Sequence, residues 1–283
     1  MKPLSQYFSI FAAFFTLSTP SFANESPPDP SFMGAKWFFL GDSQTIGRAK
    51  QEHTKSHAIA FYRIWEATFG ENVTQTVNGV SGRTMKQTRT YFIDNAKKNS
   101  SWVHFQESGN QLSDNGSQNT AKKFVNQFES LVRAINKLSP NAKISTETAY
   151  SFEAEKMKGR DWKKYNIALY KSVVKLRSEG ITVYVANVDN NIKNLVTAKR
   201  KELGVDGGQQ AVWGGPSNEL KRHFTGLGNF MIALSIYEAL GFDLDKLNFR
   251  LIPGNEVSQA DIELCLAVIE RHRSIHTKRR TYR

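Results

Sequence analysis

Short apolar runs alternate along the chain with longer stretches in which apolar residues return every three or four positions. The runs are AKWFFLG at 35–41, NVTQTVN at 72–78, SWVHFQE at 101–107, AKISTETA at 142–149 and ITVYVANV at 181–188. Each predicts a short strand. Between them, HAIAFYRIWEATFG at 57–70, TMKQTRTYFIDNAKK at 84–98, TAKKFVNQFESLVRAINKL at 120–138 and DWKKYNIALYKSVVKLRSEG at 161–180 predict helices. Gly70 closes the first of these and Gly180 the last. In the stretch 120–138, Phe124, Phe128, Leu131, Val132, Ile135 and Leu138 share one helical face. Strands alternating with helices predict a parallel sheet covered on both faces.

The later chain reads differently. VDGGQQAVWGGPSNELKRH, 205–223, is Gly-rich and aperiodic, and is expected to be a long loop. GNFMIALSIYEALG, 228–241, is apolar nearly all round and predicts a buried helix. In SQADIELCLAVIER, 258–271, Ser258 and Asp261 have capping-box spacing, and Ile262, Cys265, Leu266 and Ile269 form one apolar face. Cys265 is therefore expected in the core. As the lone cysteine it excludes an internal disulfide framework and a cysteine-rich zinc site.

The first 23 residues, MKPLSQYFSIFAAFFTLSTPSFA, have the form of a secretory signal. Lys2 supplies the positive end, YFSIFAAFFTL is a short apolar core, and SFA offers the small residues a signal peptidase needs. An uncleaved anchor is the other reading, though the apolar stretch is short for a membrane span. Residues 24–35 form a Pro-rich leader, 36–272 one α/β domain and 273–283 a basic tail. An export signal without a cysteine pair fits a bacterial periplasmic or secreted protein.

In open parallel sheets, ligands bind beyond the carboxyl ends of the strands. The first strand is followed by Gly41, Asp42 and Ser43, the second by Gly79 and Gly82, and the third by Gly109 and Asn110. His223 precedes the apolar helix. A hydroxyl, a glycine turn, a carboxamide and an imidazole would then share one edge. Those are the parts of acyl transfer. Histidine can take the proton of a serine hydroxyl, which is otherwise a poor nucleophile. The backbone amides of Ser43 and Gly82 and the side-chain amide of Asn110 can donate to the oxyanion that forms.

FFLGDSQTIG at 38–47 resembles the first block of the SGNH (GDSL-type) hydrolases, with Gln44 where the motif usually has Leu. VNGVSGRT resembles their second block, which supplies Gly82. ESGNQL resembles the third, which supplies Asn110, and HFTGLGN the histidine block, which supplies His223. The resemblance implies a three-layer flavodoxin-like fold around a five-stranded parallel sheet. It also implies a Ser-His esterase mechanism that requires no cofactor and no metal. The family usually carries Asp three residues before the histidine. That position is Leu220 here, with Glu219 beside it. Glu219 or a backbone carbonyl would then orient the imidazole.

Other candidates are weaker. His53 and His57 stand four residues apart, a spacing that can bind zinc, but lack an HExxH pattern. They read as a solvated helix start. His104 reads as a core or supporting residue of the third strand, and Asp42 as a cap of the turn. The chain carries 38 Lys and Arg against 26 Asp and Glu, a net charge of +12. The excess reaches the candidate loops at Arg48, Lys50, Arg83, Lys86, Lys221 and Arg222. Arg83 and Arg222 are candidate contacts for an anionic substrate. Residues 271–283 hold six basic residues and no acid, which would attract polyanions such as acidic polysaccharide. Export argues against nucleic acid, and no nucleic-acid motif is visible. The expected function is an exported serine esterase that removes O-acetyl groups from a polysaccharide. A lipase or lysophospholipase of the same fold and a non-catalytic glycan binder are the alternatives.

Overall fold

The computed structural model describes residues 33–34, 36–46, 56–70, 73–80, 82–95, 100–106, 119–150, 162–213, 223–252, 254 and 257–281. The signal-like segment 1–23, most of the leader, Asn110, Glu219 and Arg222 lie outside them. The strands are β1 Lys36–Gly41, β2 Thr74–Gly79, β3 Trp102–Phe105, β4 Lys143–Glu147 and β5 Val183–Ala186. They form one parallel sheet in the order β2-β1-β3-β4-β5. The direction of winding reverses between β1 and β3, so the crevice where parallel sheets hold ligands opens beyond the ends of those two strands.

The helices are α1 Ser43–Ile46, α2 His57–Phe69, α3 Met85–Asn95, α4 Asn119–Leu138, α5 Trp162–Ser178, α6 Val188–Val212, α7 Gly226–Ala239 and α8 Gln259–Thr281. Alternation along β1 sorts its side chains to two faces. Trp37 and Phe39 join Trp102 and the buried faces of α2, α6, α7 and α8 in one core. Leu40 joins Val103, Phe105 and Ile144 under α3, α4 and α5 in the other. The result is the expected three-layer, flavodoxin-like arrangement. The predicted face of α4 is the one that is buried, at Phe124, Phe128, Leu131, Val132 and Ile135.

Local chemistry sets several boundaries. Ser56 caps α2, its hydroxyl accepting from the Ile59 amide at 3.3 Å, and Gly70 ends the helix at φ 66°. Ser258 and Asp261 form the expected reciprocal cap of α8, with the Asp261 amide donating to Ser258 Oγ at 3.2 Å. Cys265 is buried in the α8 face, and burial pushes its thiol pKa up, which suits a core residue and not a nucleophile. Lys199 of α6 donates to Asp261 Oδ1 at 2.8 Å and ties the two helices. α8 runs on through 273–281, the first part of the basic segment.

Two expectations are corrected. The stretch 205–212 is not loop. It is the second limb of α6, after a break at Gly204 with φ 78° and ψ 176°. The limb folds closely onto the first, since a Cβ on Gly208 would lie 2.3 Å from the Arg200 nitrogen. Nor is His57 at a solvated helix start. It is wholly buried as the first residue of α2, packed against Phe39 and His104 of the sheet.

Candidate active site

β1 ends in Gly41, and α1 turns back over it at once. A Cβ on Gly41 would lie 2.0 Å from Thr45 Oγ1 and 3.1 Å from the Gln106 carbonyl oxygen, so only glycine admits this approach. Asp42 is buried and caps the turn, as expected. Its Oδ1 accepts from the Gln44 amide at 2.8 Å and its carbonyl from the Thr45 amide at 3.2 Å. Ser43 is thereby the first residue of α1, directly past the strand end and beside the reversal of the sheet order.

The second loop is fastened to the same strand end. The Val80 amide donates to the Gly41 carbonyl at 3.2 Å, and the Arg83 amide closes a turn onto Val80 at 3.0 Å. Gly82 occupies the third position of that turn at φ 72°, exposed to solvent. Among the described residues nothing lies within 4 Å of where its Cβ would be, so conformation and not space demands glycine. Arg83 packs inward instead. Its Nη1 donates to the carbonyl and the side-chain oxygen of Asn78, and its guanidinium lies 4.9 Å over the Tyr91 ring. Burial holds its pKa below the ordinary arginine value. These contacts give Arg83 a task in holding the turn.

The loop of His223 reaches this edge through a relay that sequence reading missed. Thr45 Oγ1 donates to Gln106 Oε1 at 2.7 Å, and Gln106 Nε2 donates to the Tyr150 hydroxyl at 3.3 Å. The Tyr150 ring meets Phe224 edge-on at 4.4 Å. Phe224 follows His223 and bridges to Trp213. The histidine block is locally self-consistent. Thr225 caps α7, accepting from the Gly228 amide at 3.2 Å and donating to the Ala211 carbonyl at 2.7 Å. A Cβ on Gly228 would lie 2.3 Å from the Val212 carbonyl oxygen, so glycine lets α7 dock on the end of α6. The half-buried His223 thus directly precedes a segment, Phe224 to Gly228, that is bonded to the end of α6. Gln106, directly after β3, was the available signal: a buried polar residue at a strand end needs partners.

Behind α1 the face shared with α2 holds a buried polar group. His57, His104 and Glu147 each offer one ligand atom, all within 4.8 Å of one another. His104 Nδ1 lies 2.9 Å from Ser145 Oγ, which also accepts from Trp102 Nε1 at 2.9 Å. Burial pushes Glu147 up to about 8, helped by the charge of Asp42, while Gln106 draws it part of the way back. Burial pulls His57 down to about 3. His104 falls well below the ordinary histidine value for the same reason, with His57 adding to it. Burial thus disfavours the charged form of all three groups, and His104 Nε2 stands 4.0 Å from Glu147 Oε2.

The fold is that of the GDSL-type (SGNH) hydrolases. Three solved structures carry that statement. The chain matches a GDSL-like lipase from Parabacteroides merdae with a TM-score of 0.55 and 16% identity, covering 75% of this chain and 99% of that one. It matches an acetyl-xylooligosaccharide esterase from Geobacillus with a TM-score of 0.54 and 18% identity, covering 74% and 95%. A family 3 carbohydrate esterase from Clostridium thermocellum matches with a TM-score of 0.51 and 19% identity, covering 72% and 94%. No family model and no curated protein matches the chain.

Proposed function

We propose that the protein is an exported serine esterase that removes O-acetyl groups from a polysaccharide. One observation supports this most: the first residue of α1, Ser43, sits past β1 at the sheet's reversal, with the Gly82 turn bonded to that strand end and Phe224, next to His223, linked to α1 through Tyr150, Gln106 and Thr45. In this reading Ser43 Oγ attacks the ester carbonyl while His223 takes its proton. The oxyanion is met by the amides of Ser43 and Gly82 and by the Asn110 side chain. His223 then returns the proton to the departing alcohol oxygen. Water, with its proton taken by His223, hydrolyses the acyl-enzyme and releases acetate. Glu219 or a loop carbonyl orients the imidazole. No step needs a cofactor.

Two neighbours bear on the substrate. One is described as acting on acetylated xylooligosaccharides and another as a carbohydrate esterase. The signal-like leader and the positive charge point the same way, to an extracytoplasmic and anionic polymer. The test is hydrolysis of p-nitrophenyl esters of increasing chain length and release of acetate from acetylated glycans. Wild type is expected to favour acetyl, and folded Ser43→Ala to lose activity. Near-normal turnover by Ser43→Ala would remove the nucleophile assignment, and preference for long acyl chains would make the protein a lipase.

A further inference from the structure

The buried group behind α1 is not used by the ester chemistry, and its composition asks for a guest. His57 opens α2, His104 lies in β3 and Glu147 ends β4, where the register pairs His104 with Ser145 and brings Glu147 onto the same face. Their exposures are 0%, 0% and 2%. Among the described residues, both ring nitrogens of His57, Nε2 of His104 and both carboxylate oxygens of Glu147 are buried with no partner at hydrogen-bond geometry. Gln106 Nε2 gives one hydrogen to Tyr150 and turns the other toward Glu147, which eases the carboxyl only in part and leaves the two imidazoles unanswered. Leaving one such polar atom buried and unpaired costs about 1–3 kcal/mol, and native interiors rarely leave several together.

We propose that His57, His104 and Glu147 bind a single divalent transition-metal ion, with zinc as the best fit. Two imidazoles and a carboxylate are a donor set that zinc favours. A cation answers all three residues at once, the Glu147 carboxyl giving up its proton to bind it. His104 already has the support a ligating histidine needs. Ser145 holds its Nδ1, which directs Nε2 into the group. In a tetrahedral zinc site with bonds of about 2.0–2.2 Å the donors stand about 3.4 Å apart. The present donors all lie within 4.8 Å of one another, so binding draws them together by up to about 1.4 Å. A water molecule in the same place would satisfy fewer of these atoms. The ion would join α2, β3 and β4 directly behind the turn that carries Ser43, and so act as a structural brace.

The experiment strips the purified full-length chain, free of any tag, with a chelator and titrates it with Co2+ and then Zn2+. The expected result is one ion per chain by elemental analysis, visible cobalt d–d absorption abolished by zinc, and a higher thermal midpoint with metal. Glu147→Gln and His57→Leu should each weaken binding at least about a hundredfold, beyond the 10–100-fold typical of losing an outer partner. Replacing His272 and His276 by alanine should change nothing, which separates this site from the basic segment. Folded wild type that takes up no stoichiometric metal overturns the proposal. So does unchanged affinity in both ligand variants. The two variants act on different elements, so failure of one to fold leaves the other to decide.

Discussion

Gly41 and Gly82 flank the proposed nucleophile and are needed for different reasons. At Gly41 the reason is space: an added Cβ meets Thr45 Oγ1 at 2.0 Å and the Gln106 backbone at 3.1 Å. Gly41→Ala must turn the Thr45 hydroxyl away from Gln106 Oε1 and crowd the Gln106 carbonyl, so it should lower stability by about 1–3 kcal/mol and disturb the turn that carries Ser43. Activity should fall more than stability, as paired urea unfolding and initial rates would show. At Gly82 the space is open and φ is 72°, so alanine pays a left-handed conformation of about 1–2 kcal/mol. Gly82→Asn should recover much of that, because asparagine tolerates the region. Equal unfolding midpoints for the alanine and asparagine variants would contradict the conformational account. Asn110→Ala tests the proposed oxyanion hole: kcat should fall roughly a hundredfold or more with little change in KM. An unchanged kcat would take Asn110 out of the site.

Among the elements, the strand–helix alternation was legible because each core face repeats with its own period. The capping of α8 and the closure of α2 were legible because Ser258, Asp261 and Gly70 act locally. The second limb of α6 was not. Gly204, Gly207 and Gly208 carry the composition of a loop, and only packing against Arg200 shows why Gly208 belongs in a helix. The first limb was also unread, though Ile192, Leu195 and Val196 recur at helical spacing, because polar residues open it at Asp189, Asn190 and Asn191. In the site, the histidine block was legible in order, but the relay through Gln106 and Tyr150 joins strands that are 44 residues apart and leaves no local pattern. The α6–α8 tie gives a prediction at this scale. Burial raises the Asp261 pKa, but the hydrogen bonds from Lys199 and Ser258 outweigh it and hold the group below its ordinary value. A depressed folded pKa contributes stability that is present above the unfolded pKa and lost as pH falls through the folded one. Asp261→Asn should therefore cost about 0.5–1 kcal/mol near neutrality, discounted for its partial exposure to solvent. The gap from wild type should close as pH drops below the usual carboxylate range. A gap that stayed constant into acid would mean that packing and not charge holds α8.

The charge of the whole molecule bears on how a polymer would reach the site. With a net charge of +12, the protein presents an attractive field to any polyanion. Lys221 and Arg222 immediately precede the proposed base, so their charges lie close to it in sequence. Arg83 is a poorer probe, because its guanidinium holds Asn78 and covers Tyr91, and removing it would loosen the Gly82 turn. Salt screens exposed charges over roughly 8–10 Å at physiological ionic strength. Apparent KM for an acidic acetylated glycan should then rise with added salt, while a small neutral acetyl ester should be nearly indifferent. Lys221→Ala with Arg222→Ala should raise KM for the glycan at low salt and flatten its salt response, with kcat on the neutral ester retained. The contrast between substrates matters because a general effect of salt on folding would move both together. An equal response of the neutral and acidic substrates would show that the positive charge is ordinary solvated surface with no part in recruiting substrate.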